Sequence, residues 1–328
     1  MKILVIGAAG MIGRKLVRAL CERGTLNGKS IDALVLADVF VPEKPEFGGA
    51  VETLAADLSQ PGTAEQLIAH RPDLIFHLAA IVSGEAEADF EKGYRVNLDG
   101  TRLLLEAIRL AEQPYFPKLV FTSSIAVFGE PLPQVIGDTH HLTPLTSYGT
   151  QKAIGELLLA DYSRRGLVDG IGIRLPTITI RPGKPNRAAS GFFSSILREP
   201  LIGQEAVLPV DESVRHWFAS PRAAIRFLLK AAELDTAPLG QIRTLTMPGL
   251  EATVGDEIEA LRRIAGESAV KLIRREPDAA IAKIIAGWPQ SFDASRALSL
   301  GFTAETSFDD IIRVYIEDEL NNRLPERT

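Results

Sequence analysis

The chain contains one cysteine, Cys21, in 328 residues. An intrachain disulfide is therefore impossible, and a cysteine zinc cluster is excluded. No apolar run approaches the roughly 20 residues of a membrane span. The early run Ile3-Leu4-Val5-Ile6 follows a single lysine and is too short for a secretory core. A soluble, cytoplasmic protein with no membrane partner is expected. Clustered basic residues are also lacking: 36 Lys and Arg are scattered against 42 Asp and Glu, for a net charge of −6. A nucleic-acid binder must neutralise phosphates with a basic patch, so no nucleic-acid partner is expected. Repeats of roughly 20–50 residues and biased segments are absent too, which removes solenoid and fibrous folds.

What is present is globular: 46% hydrophobic and 24% charged residues, in a chain longer than one average domain needs. The first half alternates short apolar runs with helical periodicity. Strands are expected at Ile3–Ile6, Ala33–Ala37, Val51–Ala55, Leu74–Phe76, Lys118–Phe121 and Gly170–Leu175. The intervening helices are expected at about Met11–Arg23, Ala64–Ala69, Tyr94–Ala111 and Ser147–Arg165. Continuous apolar strands separated by helices imply a parallel sheet covered on both faces. Beyond residue 181 the pattern changes to loops and shorter elements. Helices are expected there around Phe192–Leu197, Pro221–Glu233, Val254–Ala265 and Phe308–Leu320, with a strand near Arg243–Thr246. The fold expected is α/β: a Rossmann-type doubly wound parallel sheet over 1–180, and a smaller C-terminal α/β substrate lobe over 181–328. Some segments of that lobe return to the sheet.

Gly7-Ala8-Ala9-Gly10-Met11-Ile12-Gly13 joins the first strand to the first helix. Its glycines let the backbone turn and approach a pyrophosphate at a helix N-terminus. The spacing is G-x-x-G-x-x-G, and three glycines alone are also readable as turn and packing positions. Asp38 ends the second strand, where a carboxylate accepts bonds from the adenosine ribose. Val39 and Phe40 follow it and offer no guanidinium for a 2′-phosphate, so NAD is expected rather than NADP. Asp57 is read as ending the third strand (Ala56-Asp57-Leu58) and is a candidate for the adenine side, its plainer reading being a helix N-cap.

Tyr148 and Lys152 lie four residues apart, on one face of the helix expected there. Alone they are a surface pair. Ser123 and Ser124, however, close the fifth strand, and ligands of open parallel sheets bind at the carboxyl ends of strands. The serines, the Tyr148/Lys152 face and the glycine loop should therefore meet in one crevice. A free tyrosine titrates near pH ~10, and lowering that by about three units needs roughly 4 kcal/mol of differential stabilisation. A nearby ammonium and a nicotinamide cation act in that direction. Tyr148 would then accept a hydroxyl proton as hydride leaves the same carbon, Ser124 would hold that hydroxyl, and Lys152 would also bind the nicotinamide ribose.

With these motifs the first 180 residues or so resemble an extended short-chain dehydrogenase/reductase of the NAD-dependent epimerase/dehydratase type. The resemblance is carried by the glycine loop, Asp38, Asp57, His77-Leu78-Ala79-Ala80, Asn97, Ser124 and the Tyr148/Lys152 pair. It implies that Leu78, Ala79 and Ala80 line the cofactor and that Asn97 stands behind the active site in a proton relay. It likewise implies cofactor contacts for Pro176 and Thr177, and a homodimer through helices such as the one bearing Tyr148.

Thr177 stands where nucleotide-sugar enzymes of this family carry an asparagine, which weighs against a nucleotide sugar. Ser124 lacks the acidic neighbour that a dehydratase wants. The second half is similar instead to the branch of the family that dehydrogenates D-erythronate. The stretches that carry it are Arg181-Pro182-Gly183-Lys184-Pro185-Asn186, Ser190-Gly191-Phe192-Phe193, Arg215-His216-Trp217-Phe218 and Trp288-Pro289. That likeness implies oxidation of the C2 hydroxyl of a four-carbon sugar acid. A carboxylate grip is then required, and Arg187, Arg215 and His216 are candidates because a guanidinium holds a carboxylate bidentately. Each also reads as an ordinary structural or solvated residue. Ser83 is a candidate for substrate hydroxyls, and Trp217 and Phe192 for the pocket wall. The alternatives are a nucleotide-sugar 4-epimerase with tightly bound NAD and, less favoured, a non-enzymatic NAD sensor, which would not need Ser124, Tyr148 and Lys152. His140-His141 project in different directions without an acidic partner at ligand spacing, so no metal is expected.

Overall fold

The computed structural model describes residues 1–183 and 190–324. Six strands follow the apolar runs: β1 (Lys2–Ile6), β2 (Ala33–Asp38), β3 (Ala50–Ala55), β4 (Leu74–His77), β5 (Lys118–Ser124) and β6 (Asp169–Leu175). With the strand Thr244–Thr246 they form one parallel sheet, ordered Thr244–Thr246, β6, β5, β4, β1, β2, β3. The strand order reverses at β1, which pairs with β2 on one side and β4 on the other. A crevice opens at such a switch point, outside the carboxyl ends of the strands. The central strands are buried along their length, whereas β3, at the edge, alternates exposed and half-buried residues and carries Glu52. A charge on an edge strand discourages pairing with another chain.

Helix α1 (Met11–Arg23) leaves the glycine loop with Leu16, Val17 and Leu20 on its buried face, and it stops at Gly24 in the left-handed conformation (φ 62°). Helix α2 is Thr63–Ala69 and helix α3 is Gly100–Leu110. The helix expected from Tyr94 onward begins as a wider π-helical turn over Tyr94–Asp99. The Thr101 hydroxyl donates to the Asn97 carbonyl at 2.8 Å, competing there for the backbone acceptor. The extra residue in the turn accompanies the inward placement of Asn97, which is 2% exposed. Helix α4 (Ser147–Arg164) carries Tyr148 and Lys152 and is capped by Thr146, whose Oγ1 accepts from Gly149 N.

At Pro176 the chain steps out of the main sheet. Thr177–Ile178 already pairs with the strand Arg215–Ala219, which in turn pairs antiparallel with Leu250–Thr253. A second core, with Phe193, Leu197, Phe218, Val254, Leu261 and Ile311, lies under this small sheet. The second half is not wholly separate. The helix Pro221–Glu233 packs into the core of the main sheet, and Thr244–Thr246 extends that sheet at its edge. On the other side, Ile136 pairs with the segment at Phe292 through Ile136 N to Ser291 O (3.0 Å) and Asp293 N to Ile136 O (2.9 Å).

Candidate active site

A cavity of about 430 Å³ opens at the carboxyl ends of the strands. Gly7, Gly10, Met11, Ile12 and Gly13 line it from the first loop, and Leu78 and Ala80 from the end of β4. Helix α1 begins at Gly10 without a side-chain cap, so the first-turn N–H groups are not claimed by a local acceptor. Gly13 permits the tight turn: a Cβ there would stand 2.1 Å from the Gly7 carbonyl oxygen. Asp38 closes the loop from β2, its carboxylate accepting from Ala9 N at 2.9 Å and Val39 N at 2.7 Å. An open helix start, a backbone loop without side chains and an acid on the neighbouring strand end suit a dinucleotide's pyrophosphate and ribose.

Ser124 ends β5 and Tyr148 starts α4, and both line the same cavity, as do Lys152, Pro176 and Thr177. The helix start is brought against the strand end by Gly149, where a Cβ would fall 2.1 Å from the Ala126 carbonyl oxygen. Lys152 donates from Nζ to the Thr122 carbonyl at 2.8 Å and lies 5.8 Å from the centre of the Tyr148 ring. Burial lowers its pKa to about 8, against the pull of Glu156 one turn further along the helix. Tyr148 moves the other way. Burial raises its phenol above the ordinary value and outweighs the Ser124 hydroxyl and the Arg181 guanidinium, which both act to lower it. The lowering expected from the sequence is thus not supplied by the protein alone, and Arg181 is a cation that acts on the phenol and that motif reasoning did not name for it.

Other expected cofactor residues stand at different depths. Ala79 does not face the cavity; its backbone N instead sits where a Cβ on Gly7 would go, 2.7 Å away. Asn97 stands behind the site. Its side chain accepts from Ile81 N (2.9 Å) and donates to Ile81 O (3.2 Å) and to Gln151 Oε1 (2.8 Å). Asp57 lies two residues past β3, in a turn, and takes the Ser59 amide (3.0 Å) and hydroxyl (2.6 Å), so its carboxylate is engaged locally and outside the cavity lining.

On the substrate side, Ser83 lines the cavity. Arg215 does not: it is exposed and pairs with Glu251 at 2.9 Å on the adjacent strand, because successive side chains of a strand point to opposite faces. Its neighbour His216 therefore points inward and does line the cavity. Arg187 lies outside the described residues. Trp217 and Phe192 belong to apolar cores and not to the cavity wall, the Trp217 indole donating to Met247 O. Arg181, Trp288 and Pro289, which motif reasoning did not single out as site residues, complete the wall.

His216 is fixed in one tautomer. Nδ1 lies 3.1 Å from the Pro289 carbonyl, which only accepts, so the proton is on Nδ1 and Nε2 accepts from Thr177 Oγ1 at 2.7 Å. The ring stacks on Phe193, with 4° between planes, and burial holds its pKa down at about 4. It is neutral at physiological pH.

The family model described as the NAD dependent epimerase/dehydratase family matches residues 3–238. The chain is 49% identical to a protein of Cupriavidus necator named D-erythronate dehydrogenase, over 97% of this chain and 98% of that one. A protein of Haemophilus influenzae with the same name is 42% identical, over 98% of this chain and all of that one. A crystal structure described as the nucleoside-diphosphate-sugar epimerase from Agrobacterium tumefaciens is 65% identical, with a TM-score of 0.97 over 99% of this chain and 96% of that one. Matched over most of its length by the family model and over nearly all of it by these relatives, the chain belongs to the NAD-dependent epimerase/dehydratase family of oxidoreductases, and its cofactor is NAD.

Proposed function

We propose that this enzyme oxidises the C2 hydroxyl of a four-carbon sugar acid, D-erythronate, to the 2-keto acid. The observation that carries the reading is the meeting of Ser124, Tyr148 and Lys152 with the glycine loop in one cavity. Two near full-length relatives named for that activity support it. Gly7, Gly10, Met11, Ile12 and Gly13 would hold the pyrophosphate, Asp38 the adenosine ribose, and Leu78, Ala80, Pro176 and Thr177 the nicotinamide half. When bound, NAD supplies the two-electron acceptor and adds a ring cation beside the phenol.

Ser124 holds the substrate hydroxyl, and Tyr148 takes its proton as the C–H electron pair leaves as hydride, so that a carbonyl forms. Lys152, fixed on the Thr122 carbonyl, holds the ribose and adds positive charge near the ring. Asn97 positions this wall through the Ile81 backbone. Asp57 is left with a local structural part. A cytoplasmic homodimer belongs to the same reading, with Leu157, 65% exposed on α4, in its interface.

The test is NADH formation by the purified protein with NAD and a panel of four- to six-carbon sugar acids, plus UDP-glucose. NADH with D-erythronate and none with UDP-glucose is the expected result. Conversion of UDP-glucose to its epimer, without NADH from any acid, would move the protein to the epimerases.

A further inference from the structure

Among the described residues the wall of the cavity contains no aspartate or glutamate, in a protein whose net charge is −6. Its cationic side chains among those residues are Lys152 and Arg181. Lys152 is committed to a backbone carbonyl. Arg181 is not neutralised: among the described residues no carboxylate comes within ion-pair distance of it, and the neighbouring segment 184–189 contains no acid in its sequence. The adjacent cation Arg198, by contrast, has Glu199 beside it.

Among the described residues the Arg181 guanidinium is held in place by neutral groups. Nε donates to the Ile178 carbonyl at 2.8 Å and Nη2 to Ser190 Oγ at 3.0 Å. Among the described residues the Nη1 hydrogens meet no acceptor, and the side chain lines the cavity. Burial without a counter-ion lowers its pKa, and Arg198 adds to that. A withdrawn guanidinium without its own anion, facing a cavity, is completed by an anion from outside.

We propose that Arg181 anchors the substrate's carboxylate, and that this seating selects the carbon next to the acid group for oxidation. The proposal rests on the dehydrogenase reading above and adds to it the residue that sets the regiochemistry. Arg181 and Tyr148 line the same cavity, and the guanidinium acts to lower the phenol's pKa. A carboxylate forked across Nη1 and the remaining Nη2 hydrogen, with its adjoining hydroxyl-bearing carbon toward Tyr148 and Ser124, leaves the rest of the acid the space lined by Trp288 and His216. Hydroxyls further along the chain then lie beyond reach of the phenol. The neutral His216 does not compete for the anion. A nucleotide-sugar diphosphate is also an anion, and the experiment separates the two.

D-erythronate and, separately, UDP-glucose are titrated calorimetrically onto the NADH-loaded protein, where no oxidation occurs, for the natural chain, Arg181→Gln and Arg181→Lys. Binding of D-erythronate weakened about 100-fold by Arg181→Gln, and less by Arg181→Lys, with NADH affinity unchanged, is expected. Melting temperatures confirm that the variants are folded, and Arg181→Lys, which keeps the charge, serves if Arg181→Gln is not. Equal affinity of natural chain and folded variants for D-erythronate would overturn the anchor. So would Arg181-dependent binding of UDP-glucose alone, or no binding of either ligand. In turnover, loss of the cation should also move the acid limb of the kcat/KM profile to higher pH, which a merely structural role would not do. D-erythronate bound through Arg181 but never oxidised would leave the anchor standing and remove the dehydrogenase reading instead.

Discussion

Arg174 grips Glu156 with one edge of its guanidinium, Nη2 at 2.7 Å from one carboxylate oxygen and Nε at 3.0 Å from the other. Both side chains are buried, and Ser123 Oγ donates to the same carboxylate at 2.5 Å. Glu156 lies one helical turn beyond Lys152 and is the group that holds the lysine's pKa up against burial. Charge behind the cavity wall therefore sets the protonation of a residue in it.

Replacing Glu156 by glutamine should act on both functions. It leaves Arg174 with only Asp138, at 3.8 Å, as a charged partner. Breaking a buried pair by removing one member costs about 3 kcal/mol or more, to be read from the urea midpoint. The lysine should also titrate lower than about 8 in the variant. Cofactor binding, followed against pH, should then weaken at a lower pH than in the natural chain. An unmoved pH dependence would disconnect Glu156 from Lys152.

Tyr148→Phe removes the proposed proton acceptor and little else, since the ring and its packing remain. Turnover should fall by about 10³-fold or more, with NAD affinity, measured by fluorescence titration, kept within a factor of about two. Residual turnover near the natural rate would assign the base to another group.

Asp38 has two tasks in this structure: it closes the glycine loop on Ala9 N, and its position suits the ribose. Asp38→Ala should weaken NAD about tenfold or more and NADP much less, because losing a hydrogen bond to a charged group costs roughly 1.5–3 kcal/mol. Asp38→Asn keeps an acceptor for Ala9 and should lose less. Equal losses for the two dinucleotides would leave Asp38 only its part in the loop.

His77 and His216 are both buried and neutral, with pKa values held down by burial at about 3 and about 4. The unfolded chain protonates them near pH ~6.5. The folded state binds fewer protons below that value, so their contribution is complete above pH ~6.5 and is lost as pH falls through it toward the folded values. Urea unfolding at steps from pH 7.5 to 4 should show stability falling over that window, by a few kcal/mol. His216→Gln should flatten the part above about pH 4. A natural-chain profile flat from 6.5 to 4 would contradict the neutral assignment.

The first half was legible because its signals are local. A continuous apolar run, a glycine turn and an acid at a strand end each report their surroundings within a few residues. The pairing of Tyr148 with Ser124 also followed, since parallel topology sends strand ends to one side. The substrate wall was less legible. Arg181 and Trp288 are more than a hundred positions apart and meet only through the small sheet and the Ile136–Phe292 bridge. Motif reading chose Arg215 because it is a guanidinium in a distinctive stretch, but a one-residue alternation decides which side chain faces the cavity. That alternation sends His216 inward and leaves Arg215 on Glu251. The π-helical turn at Asn97 has no periodic signature beyond that of an ordinary helix.

The bridge at Ile136 has a consequence for inheritance. It ties the segment just after Trp288 and Pro289 to the loop beyond β5, so this lip of the pocket is fastened to the catalytic half while its own chain belongs to the other half. Residues 287–293 are thus shared between the two halves, Trp288 packing against the second core and Phe292 against Trp217 and Phe128. A change at this lip of the pocket is therefore felt in both halves at once, and its residues have to vary together with the partners they pack on.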